Sequence, residues 1–214
     1  MKLYTYFRSS AAYRVRIALN LKGLAYQAIP VHLLRTGGEH RQEDYLAINP
    51  AALVPALVDG ERALSQSMAI IEYLDETHPE PSLLPGAATD RARIRGIAQA
   101  IACDIHPLNN LRVLQYLGRE LGATKEQKDA WYRHWVELGL EALETTLAGD
   151  ARTGAFCHGD TPTLADCCLV PQVFNARRLN CRIDKLAVIN RIVERCEAME
   201  SFRLAAPENQ PDAE

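Results

Sequence analysis

The first residues able to do chemistry form a short segment, Arg8-Ser9-Ser10-Ala11, between a strand-like stretch and a helical pattern. Two hydroxyls therefore lie at the start of a helix, where backbone N–H groups lack partners and the helix dipole is positive. An anion is favoured there, and the pKa of a thiol bound at such a position is lowered. The segment predicts a site that holds a thiolate. Alternatively, Ser9 or Ser10 is only the N-cap of the helix.

A second segment, Val54-Pro55, stands at the entry to a strand pattern. Proline is unusual there because it has no N–H to donate to a neighbouring strand. If the Val54-Pro55 bond is cis, the backbone N–H and C=O of Val54 are exposed to an extended peptide that lies alongside. A trans proline on an edge strand is the alternative.

The third segment, Gln66-Ser67, opens another helical pattern. A hydroxyl, adjacent backbone N–H groups and the positive end of the dipole form a site for a carboxylate, with a simple helix cap as the alternative. Each of the three signals is weak by itself. A thiol site, a backbone-pairing site and a carboxylate site on one small α/β domain together describe a pocket for glutathione.

The elements that must position these segments follow from the hydrophobic pattern. Alternating apolar and polar residues predict strands, and apolar residues at helical spacing predict helices. The predicted order is a strand at 2–6, a helix at 10–22, a strand at 26–33, a helix at 41–48, strands at 54–58 and from 63, and a helix at 67–77. This order fits a small mixed sheet with helices on its faces, and we expect an α/β domain at residues 1–80.

Local signals mark the ends of these elements. Gly23 predicts the C-cap of the first helix, and Asp59-Gly60 predicts a hairpin turn between two strands. Ser67 is placed to cap the third helix.

The proline-rich residues 78–86 predict a linker, and everything after them has a helical pattern. Helices are predicted at 89–116, at 125–147, at 163–179 and at 185–201, and Pro107 is expected to bend the first of them. We therefore expect an all-helical domain at residues 87–214. The polar tail from Pro207 onward is expected to be frayed.

One helix start carries a specific signal, because Thr163 is followed three residues later by Asp166. In such a box each side chain can bond the backbone N–H of the other residue. The pattern predicts a buried, structurally anchored helix and no catalytic role.

The six cysteines form no CxxC pair, and none lies in the first hundred residues. In a reducing compartment, buried small hydrophobes are favoured over a disulfide or metal role for them. The six histidines show no spacing that pairs with these cysteines as zinc ligands, so we predict no metal site.

Composition argues against other classes of protein. The net charge is −3 without a basic block, so the attraction to phosphate that nucleic-acid binding needs is missing. The N-terminus lacks the apolar region of a secretory signal. The longest uncharged run, residues 46–58, falls short of the ~20 apolar residues of a membrane span. We expect a cytoplasmic protein that binds neither nucleic acid nor membrane.

Across nearly its whole length, the chain resembles the zeta class of glutathione transferases, and within it the maleylacetoacetate and maleylpyruvate isomerases. The motifs that carry the resemblance are YFRSSAAYRVRIALNLKG at 6–23, GGEH at 37–40, LVPAL at 53–57, QSMAIIEYL at 66–74, CDIHPLNNLRVL at 103–114, GDTPTLADCCLVPQVFNARR at 159–178 and NQPD at 209–212. The resemblance implies a thioredoxin-like α/β N-terminal domain, an all-α C-terminal domain and a homodimer.

The resemblance also implies the residues that bind glutathione. Ser9 and Ser10, followed by Ala11, would hold the sulfur. The backbone and carboxylates of the tripeptide would be bound by His40, Val54, Pro55, Gln66 and Ser67.

Three residues of the helical half match positions that line the same cleft in the family: His106, Asn110 and Arg112. His106 and Asn110 are four residues apart, which predicts that they share a helix face. Asp104 would reach the ligand of a partner subunit. On spacing alone, a core histidine at a kink is the favoured interpretation of His106 before Pro107, and the resemblance reverses that preference.

The implied function is a glutathione-dependent cis–trans isomerase of maleylacetoacetate or maleylpyruvate in the breakdown of tyrosine or gentisate. The glutathione thiolate adds to the conjugated double bond of the diketo acid, the bond rotates, and the thiolate leaves without being consumed. Cations must fix the carboxylate and the developing charge. Arginine suits that role because its guanidinium pairs with a carboxylate through two hydrogen bonds. The candidates are Arg8, Arg177 and Arg178, of which Arg178 is the better positional match.

One departure from the family pattern is Ala11, where the usual motif is Ser-Ser-Cys. Disulfide chemistry between that cysteine and glutathione is therefore not available, which weakens a thiol-transfer or reductive role more than isomerisation. The alternatives are a conjugating transferase or dehalogenase acting on small α-halo acids, and a non-catalytic binding module. A module should have lost the polar groups of the pocket, which this chain keeps.

Overall fold

The computed structural model describes all 214 residues, and the chain divides into two compact units. The first unit comprises Met1–Leu83 together with Ala198–Glu214, and the second comprises Leu84–Glu197. The sequence led us to expect a helical domain at residues 87–214. The end of the chain instead belongs to the first unit, which has consequences for the candidate site.

The first unit is built on a four-stranded mixed sheet. Its strands are β1 (Lys2–Thr5), β2 (Gln27–Pro30), β3 (Ala56–Asp59) and β4 (Arg62–Ser65), and their spatial order is β2-β1-β3-β4. Strand β1 runs parallel to β2 and antiparallel to β3, and β3 pairs with β4 as the predicted hairpin. The predicted mixed sheet is confirmed, although β2 is shorter than the pattern at 26–33 suggested.

Nine α-helices are distributed over the two units. They are α1 (Ser10–Leu21), α2 (Glu43–Leu46), α3 (Ser67–Thr77), α4 (Ala88–Gln99), α5 (Leu111–Arg119), α6 (Lys125–Ala148), α7 (Leu164–Arg178), α8 (Ala187–Glu197) and α9 (Glu200–Ala205). Helices α4 to α8 make up the second unit, so the predicted sequence of an α/β part and an all-helical part is confirmed. None of the helices has the length and apolarity needed to cross a membrane.

Helix α1 lies in the core of the first unit, packed against α3 and α9. Most of its residues are buried, including the charged Arg14 and Arg16. Helix α1 ends at Leu21 with Lys22 as its C-cap, so the predicted cap Gly23 lies one residue further on, where its φ of 63° is a conformation that glycine adopts without steric cost.

The segment after α4 departs from the predicted helix at 89–116. Residues Ala100–Ile105 form a π-helix, Pro107–Asn109 form a 3₁₀ turn, and α5 begins only at Leu111. Pro107 has no N–H to continue an α-helical ladder, which accounts for the break there. Asn110 caps α5, since its side chain accepts a hydrogen bond from the N–H of Arg112 at 3.1 Å.

The predicted anchor at the start of α7 is confirmed. The buried Asp166 carboxylate accepts hydrogen bonds from the N–H of Thr163 at 2.8 Å and from its hydroxyl at 2.9 Å. The same carboxylate also accepts from the N–H of Cys157 at 2.9 Å. These contacts fix a helix that is buried along most of its length.

Three smaller predictions were wrong. Ser67 is the first residue of α3 and not its cap, because Gln66 occupies the N-cap position. The pattern at 185–201 is two helices, α8 and α9, and the boundary between the two units falls there. Cys103 is exposed, whereas the other five cysteines are buried as expected.

The C-terminal tail is packed and not frayed. A 3₁₀ turn spans Pro207–Asn209, and the side chain of the buried Gln210 donates hydrogen bonds to the carbonyls of Leu204 and Ala206, each at 2.9 Å. Asp212 then accepts a hydrogen bond from the N–H of Phe7. Polarity alone suggested fraying because these long-range partners are not visible in a local pattern.

Candidate functional site

The register of the sheet brings the three predicted segments to one end of the first unit. Tyr4 pairs with Ala56, and Ala56 pairs with Ser65. The turn that leaves β1 at Thr5, the Val54-Pro55 pair that enters β3, and Gln66 that follows β4 therefore lie at the same end. We call it the Thr5 end of the sheet.

An apolar cluster packs together side chains at the Thr5 end of the sheet. It contains the buried side chains of Tyr6, Phe7, Val31, Tyr45 and Val54. Phe7 directly precedes Arg8, and Val54 carries the backbone groups predicted to pair with a peptide. The cluster thus ties the first and second predicted segments to one another.

The turn between β1 and α1 presents Arg8 and Ser9. The N–H of Ser9 donates to the carbonyl of Tyr6 at 2.9 Å, which closes the turn. Ser9 is the N-cap of α1, and its Oγ accepts the N–H of Ala12 at 3.2 Å. Because this oxygen acts as an acceptor towards the helix, its own proton can be donated to an anion at the helix start.

Ser10 and Arg8 differ in exposure. Ser10 is buried as the first residue of α1, whereas Arg8 is exposed and its guanidinium lies 4.8 Å from the centre of the Phe7 ring. Stacking on an aromatic face restricts the guanidinium without using its N–H donors. Arg8 is thus held in place while its hydrogen-bonding groups stay available.

The bond between Val54 and Pro55 is cis, which was one of the two alternatives. The ladder of β3 begins at Ala56, so Val54 contributes neither of its backbone groups to the sheet. Immediately before it, the carbonyl of Leu53 accepts hydrogen bonds from the side chain of Asn49 and from the hydroxyl of Tyr45. The segment is therefore fixed by neighbours while Val54 remains outside the ladder.

Ser67 is connected to α1 by a residue that sequence reasoning missed. Arg14 is buried, and its Nη1 donates to the Oγ of Ser67 at 3.3 Å. A hydroxyl that accepts from a guanidinium keeps its own proton for a carboxylate, and the nearby positive charge favours that anion. Gln66 before it has a φ of 70°, a rare conformation that glutamine adopts only when its surroundings enforce it.

His40 lies in the loop that follows β2, in a 3₁₀ turn at Glu39–Arg41. Its ring packs against Gly38, where an added Cβ would overlap the ring, and the φ of 103° at Gly38 also favours glycine. Burial, and then the charge of Arg41, lowers the pKa of His40. The buried Nδ1 of His40 has no hydrogen-bond partner within the protein.

The four candidates in the second unit do not share one helix face. Asp104 is exposed in the π-helix, His106 is half-buried after it, and Asn110 and Arg112 stand at the start of α5. The prediction that His106 and Asn110 share a helix face was wrong, because the 3₁₀ turn at Pro107–Asn109 separates them.

The two arginines that end α7 differ in their partners. Arg177 is exposed and forms an ion pair with Glu197 at 2.7 Å. Arg178 donates from Nε to the Oδ1 of Asn175 at 3.3 Å and also interacts with the hydroxyl of Tyr132. A guanidinium with neutral partners keeps its charge for a ligand, so the surroundings favour Arg178 over Arg177.

Arg14 and Arg16 could have been found from the sequence. They are the only charged residues in a run from Ala11 to Leu19 that is otherwise apolar, small or aromatic. A helix that is apolar on all sides is buried, so charged residues within it require partners and suggest a role. Which groups they bond could not be read from the pattern.

The first unit combines a mixed four-stranded sheet with a hydroxyl-flanked helix start, a cis-proline segment and a carboxylate site. The family model of the glutathione S-transferase N-terminal domain matches residues 3–82, and that of the C-terminal domain matches residues 129–190. Fold and site together define a glutathione S-transferase, and the predicted fold class is confirmed.

Full-length similarity narrows this class. A maleylacetoacetate isomerase of Pseudomonas aeruginosa is 53% identical over 213 residues, which cover 99% of this chain and 98% of the relative. The holo structure of a maleylpyruvate isomerase, a bacterial zeta-class glutathione S-transferase, matches with a TM-score of 0.97 and 46% identity over all of both chains.

A structure of a maleylacetoacetate isomerase from Methylobacterium extorquens AM1, with bound malonate and glutathione, matches with a TM-score of 0.96 and 41% identity over all of both chains. The chain belongs to the maleylacetoacetate and maleylpyruvate isomerase family of zeta-class glutathione transferases. The family resemblance drawn from the sequence motifs is confirmed.

Proposed function

We propose that the chain is a glutathione-dependent isomerase that converts maleylacetoacetate or maleylpyruvate to its fumaryl isomer. The single observation that carries the proposal is the arrangement at the Thr5 end of the sheet. There, Ser9 caps a helix start beside an arginine whose donors are available. The full-length similarity to isomerases of this family supports the choice of reaction.

The residues at this end fit glutathione by their chemistry. The tripeptide has a thiol, an extended backbone and two carboxylates. The helix start at Ser9 suits the thiol, the backbone of Val54 suits an extended peptide, and the hydroxyl of Ser67 backed by Arg14 suits a carboxylate. The unpartnered Nδ1 of His40 is a further buried polar atom in the same unit.

When bound, glutathione supplies a thiolate that can add reversibly to a conjugated double bond. Ser9 favours the ionised thiol by donating a hydrogen bond from its hydroxyl, and the positive end of the α1 dipole acts in the same direction. Ser10 is buried behind it and shapes the helix start. Ala11 contributes no second thiol, so this chain provides no partner for a disulfide.

Arg8 is our candidate for fixing the carboxylate of the substrate, because its guanidinium is positioned by Phe7 and its donors are available. Arg178 is the second candidate. A fixed cation stabilises negative charge that develops on the substrate most effectively when it needs no reorganisation during the reaction.

The decisive experiment mixes enzyme, glutathione and each diketo acid. We expect the fumaryl isomer to appear while the concentration of free thiol stays constant. Loss of thiol in proportion to product would instead indicate a conjugating transferase, and release of halide from α-halo acids would indicate a dehalogenase. Comparison of kcat/KM for the two acids identifies the preferred substrate.

The proposal includes a homodimer, which the family resemblance implies, and a cytoplasmic location, which the sequence pattern led us to expect. Asp104 is then the residue proposed to reach the ligand of the partner subunit, and its exposure in the π-helix is compatible with that role. Sedimentation of the purified protein with and without glutathione tests the dimer, for which a monomer at micromolar concentration would be contrary evidence.

A further inference from the structure

Two charged side chains form hydrogen bonds with the backbone of Phe7, the residue that precedes Arg8. The N–H of Phe7 donates to Asp212 Oδ2 at 3.0 Å, and the carbonyl of Phe7 accepts from Arg16 Nη2 at 3.0 Å. Both polar groups of this residue are therefore fixed by side chains, one from the neighbouring helix α1 and one from the C-terminal tail. Asp212 lies in the tail, 205 positions from Phe7.

Arg16 extends the same network along the turn. It donates to the hydroxyl of Thr5 at 3.0 Å and to the carbonyl of Tyr6 at 3.4 Å. The carbonyl of Tyr6 is also the one that accepts the N–H of Ser9. A fourth bond, to the carbonyl of Ala205 at 2.9 Å, joins Arg16 to α9. The turn that carries Arg8 and Ser9 is thus fixed by hydrogen bonds from Arg16.

The charge of Arg16 is fully buried and requires a counter-charge. Burial lowers the pKa of Arg16 to about 10, and the neighbouring Tyr26, Tyr13 and Asp212 oppose that shift. Asp212 is the carboxylate among them. Its second oxygen, Oδ1, is buried without a hydrogen-bond partner.

Phe7 connects this network to the candidate chemistry. Its ring supports the guanidinium of Arg8, and its peptide group is the point at which Asp212 and Arg16 act. Displacement of the Phe7 peptide would shift both the ring under Arg8 and the cap at Ser9. Small displacements of positioned groups reduce rate far more than they reduce binding.

We infer that Asp212 is a positioning residue for the turn at residues 6–9, acting through the Phe7 N–H to hold Arg8 and Ser9 in their working geometry. The inference rests on the proposed function of that turn. It assigns a role to the C-terminal tail, which belongs to the first unit and forms a hydrogen bond with the turn that carries the candidate site.

The test replaces Asp212 by Ala and by Asn, with Glu208→Gln as the matched control. Glu208 is exposed on the same tail, so the control removes the same charge at a position away from the turn. We expect Asp212→Ala to lower kcat about 30-fold while KM for glutathione changes less than about threefold. Asp212→Asn should recover most of this loss because the amide oxygen still accepts the Phe7 N–H.

A second readout does not depend on the isomerase substrate. The ultraviolet absorbance of the bound thiolate, titrated against pH, should show ionisation at higher pH in Asp212→Ala than in wild type and in Glu208→Gln. If the wild-type protein fails to isomerise either acid, the proposed function fails, and this titration still decides the role of Asp212.

A kcat for Asp212→Ala within about twofold of wild type, or a loss that Asp212→Asn does not partly restore, overturns the inference. Should Asp212→Ala fail to fold, Asp212→Ser takes its place, because the shorter serine side chain does not reach the Phe7 N–H as the carboxylate does. Its bound thiol must then ionise at higher pH than that of wild type and of Asp212→Asn, and an unchanged titration overturns the inference.

Discussion

The two units place their candidate residues in different ways. In the first unit, separate stretches of chain reach the Thr5 end of one sheet, where backbone ladders and a shared apolar cluster fix them. In the second unit, Asp104, His106, Asn110 and Arg112 follow one another along a single stretch that changes from π-helix to 3₁₀ turn to α-helix.

The difference shows how much packing holds each group of candidate residues in place. Helix α1 is buried over most of its length, whereas α5 has no fully buried residue. The stretch around α5 therefore has less packing to resist local opening. We expect thiol activation to depend on the first unit and to tolerate change in the second, and the following variants test that separation.

The largest effect should come from Ser9→Ala. The variant loses the proposed donor to the thiolate, and we expect kcat/KM to fall about 100-fold. It also loses the cap of α1, which should cost about 1 kcal/mol in the free energy of unfolding. Measurement of isomerisation and of urea unfolding separates the two effects.

Ser9→Thr is the control for that variant, because threonine retains both the cap and a hydroxyl. Ser10→Ala provides the comparison with the buried neighbour. A larger loss of kcat/KM in Ser10→Ala than in Ser9→Ala would transfer the donor role to Ser10.

The next effect concerns the arginines. We expect Arg8→Met and Arg178→Met each to lower kcat/KM at least about tenfold, which corresponds to ~1.4 kcal/mol of transition-state stabilisation. Arg177→Met is the matched control, because Arg177 is already paired with Glu197. Equal losses in Arg177→Met and Arg178→Met would show that the C-terminal end of α7 contributes only its positive charge and that neither arginine has a specific role.

A smaller effect is expected from Gly139→Ala in α6. An added Cβ would overlap the side chain of Ile105, which ends the π-helix, and overpacking of this kind costs about 1–3 kcal/mol. The π-helix should shift, with KM for glutathione rising about threefold while the ionisation of bound thiol stays unchanged.

Gly96→Ala is the control for that variant, because nothing lies near an added Cβ at Gly96 in α4. A change in the thiol titration of Gly139→Ala, without one in Gly96→Ala, would contradict the separation of the two units.

The sequence predicted most elements because their signals are local. The end of α1 near Gly23, the hairpin at Asp59-Gly60 and the box at Thr163 and Asp166 all depend on residues close in the chain. The three weak segments could be joined into one site only because their order matched a known pocket. The sheet register then supplied the physical reason for their proximity.

What could not be predicted depends on partners distant in the chain. Polarity near Pro207 suggested a frayed end, yet Asp212 bonds to Phe7 at the other end of the sequence. At the end of the π-helix, Ile105 likewise packs against Gly139 of another helix, where an added Cβ would overlap it. A pattern of helical spacing does not contain that information, so His106 and Asn110 were placed on one face in error.

The smallest effect is a pH dependence of stability from His40. Because burial lowers its pKa in the folded protein, the unfolded chain binds the proton first as pH falls below about 6.5, the ordinary value for histidine. The free energy of unfolding should therefore decrease from there down to the folded pKa and then level off. The variant His40→Asn cannot titrate, so its unfolding free energy should lack this component. Urea unfolding of both proteins across this range gives the difference, and a difference that stays constant, or that favours the wild type at acid pH, would mean that His40 is not held neutral by burial.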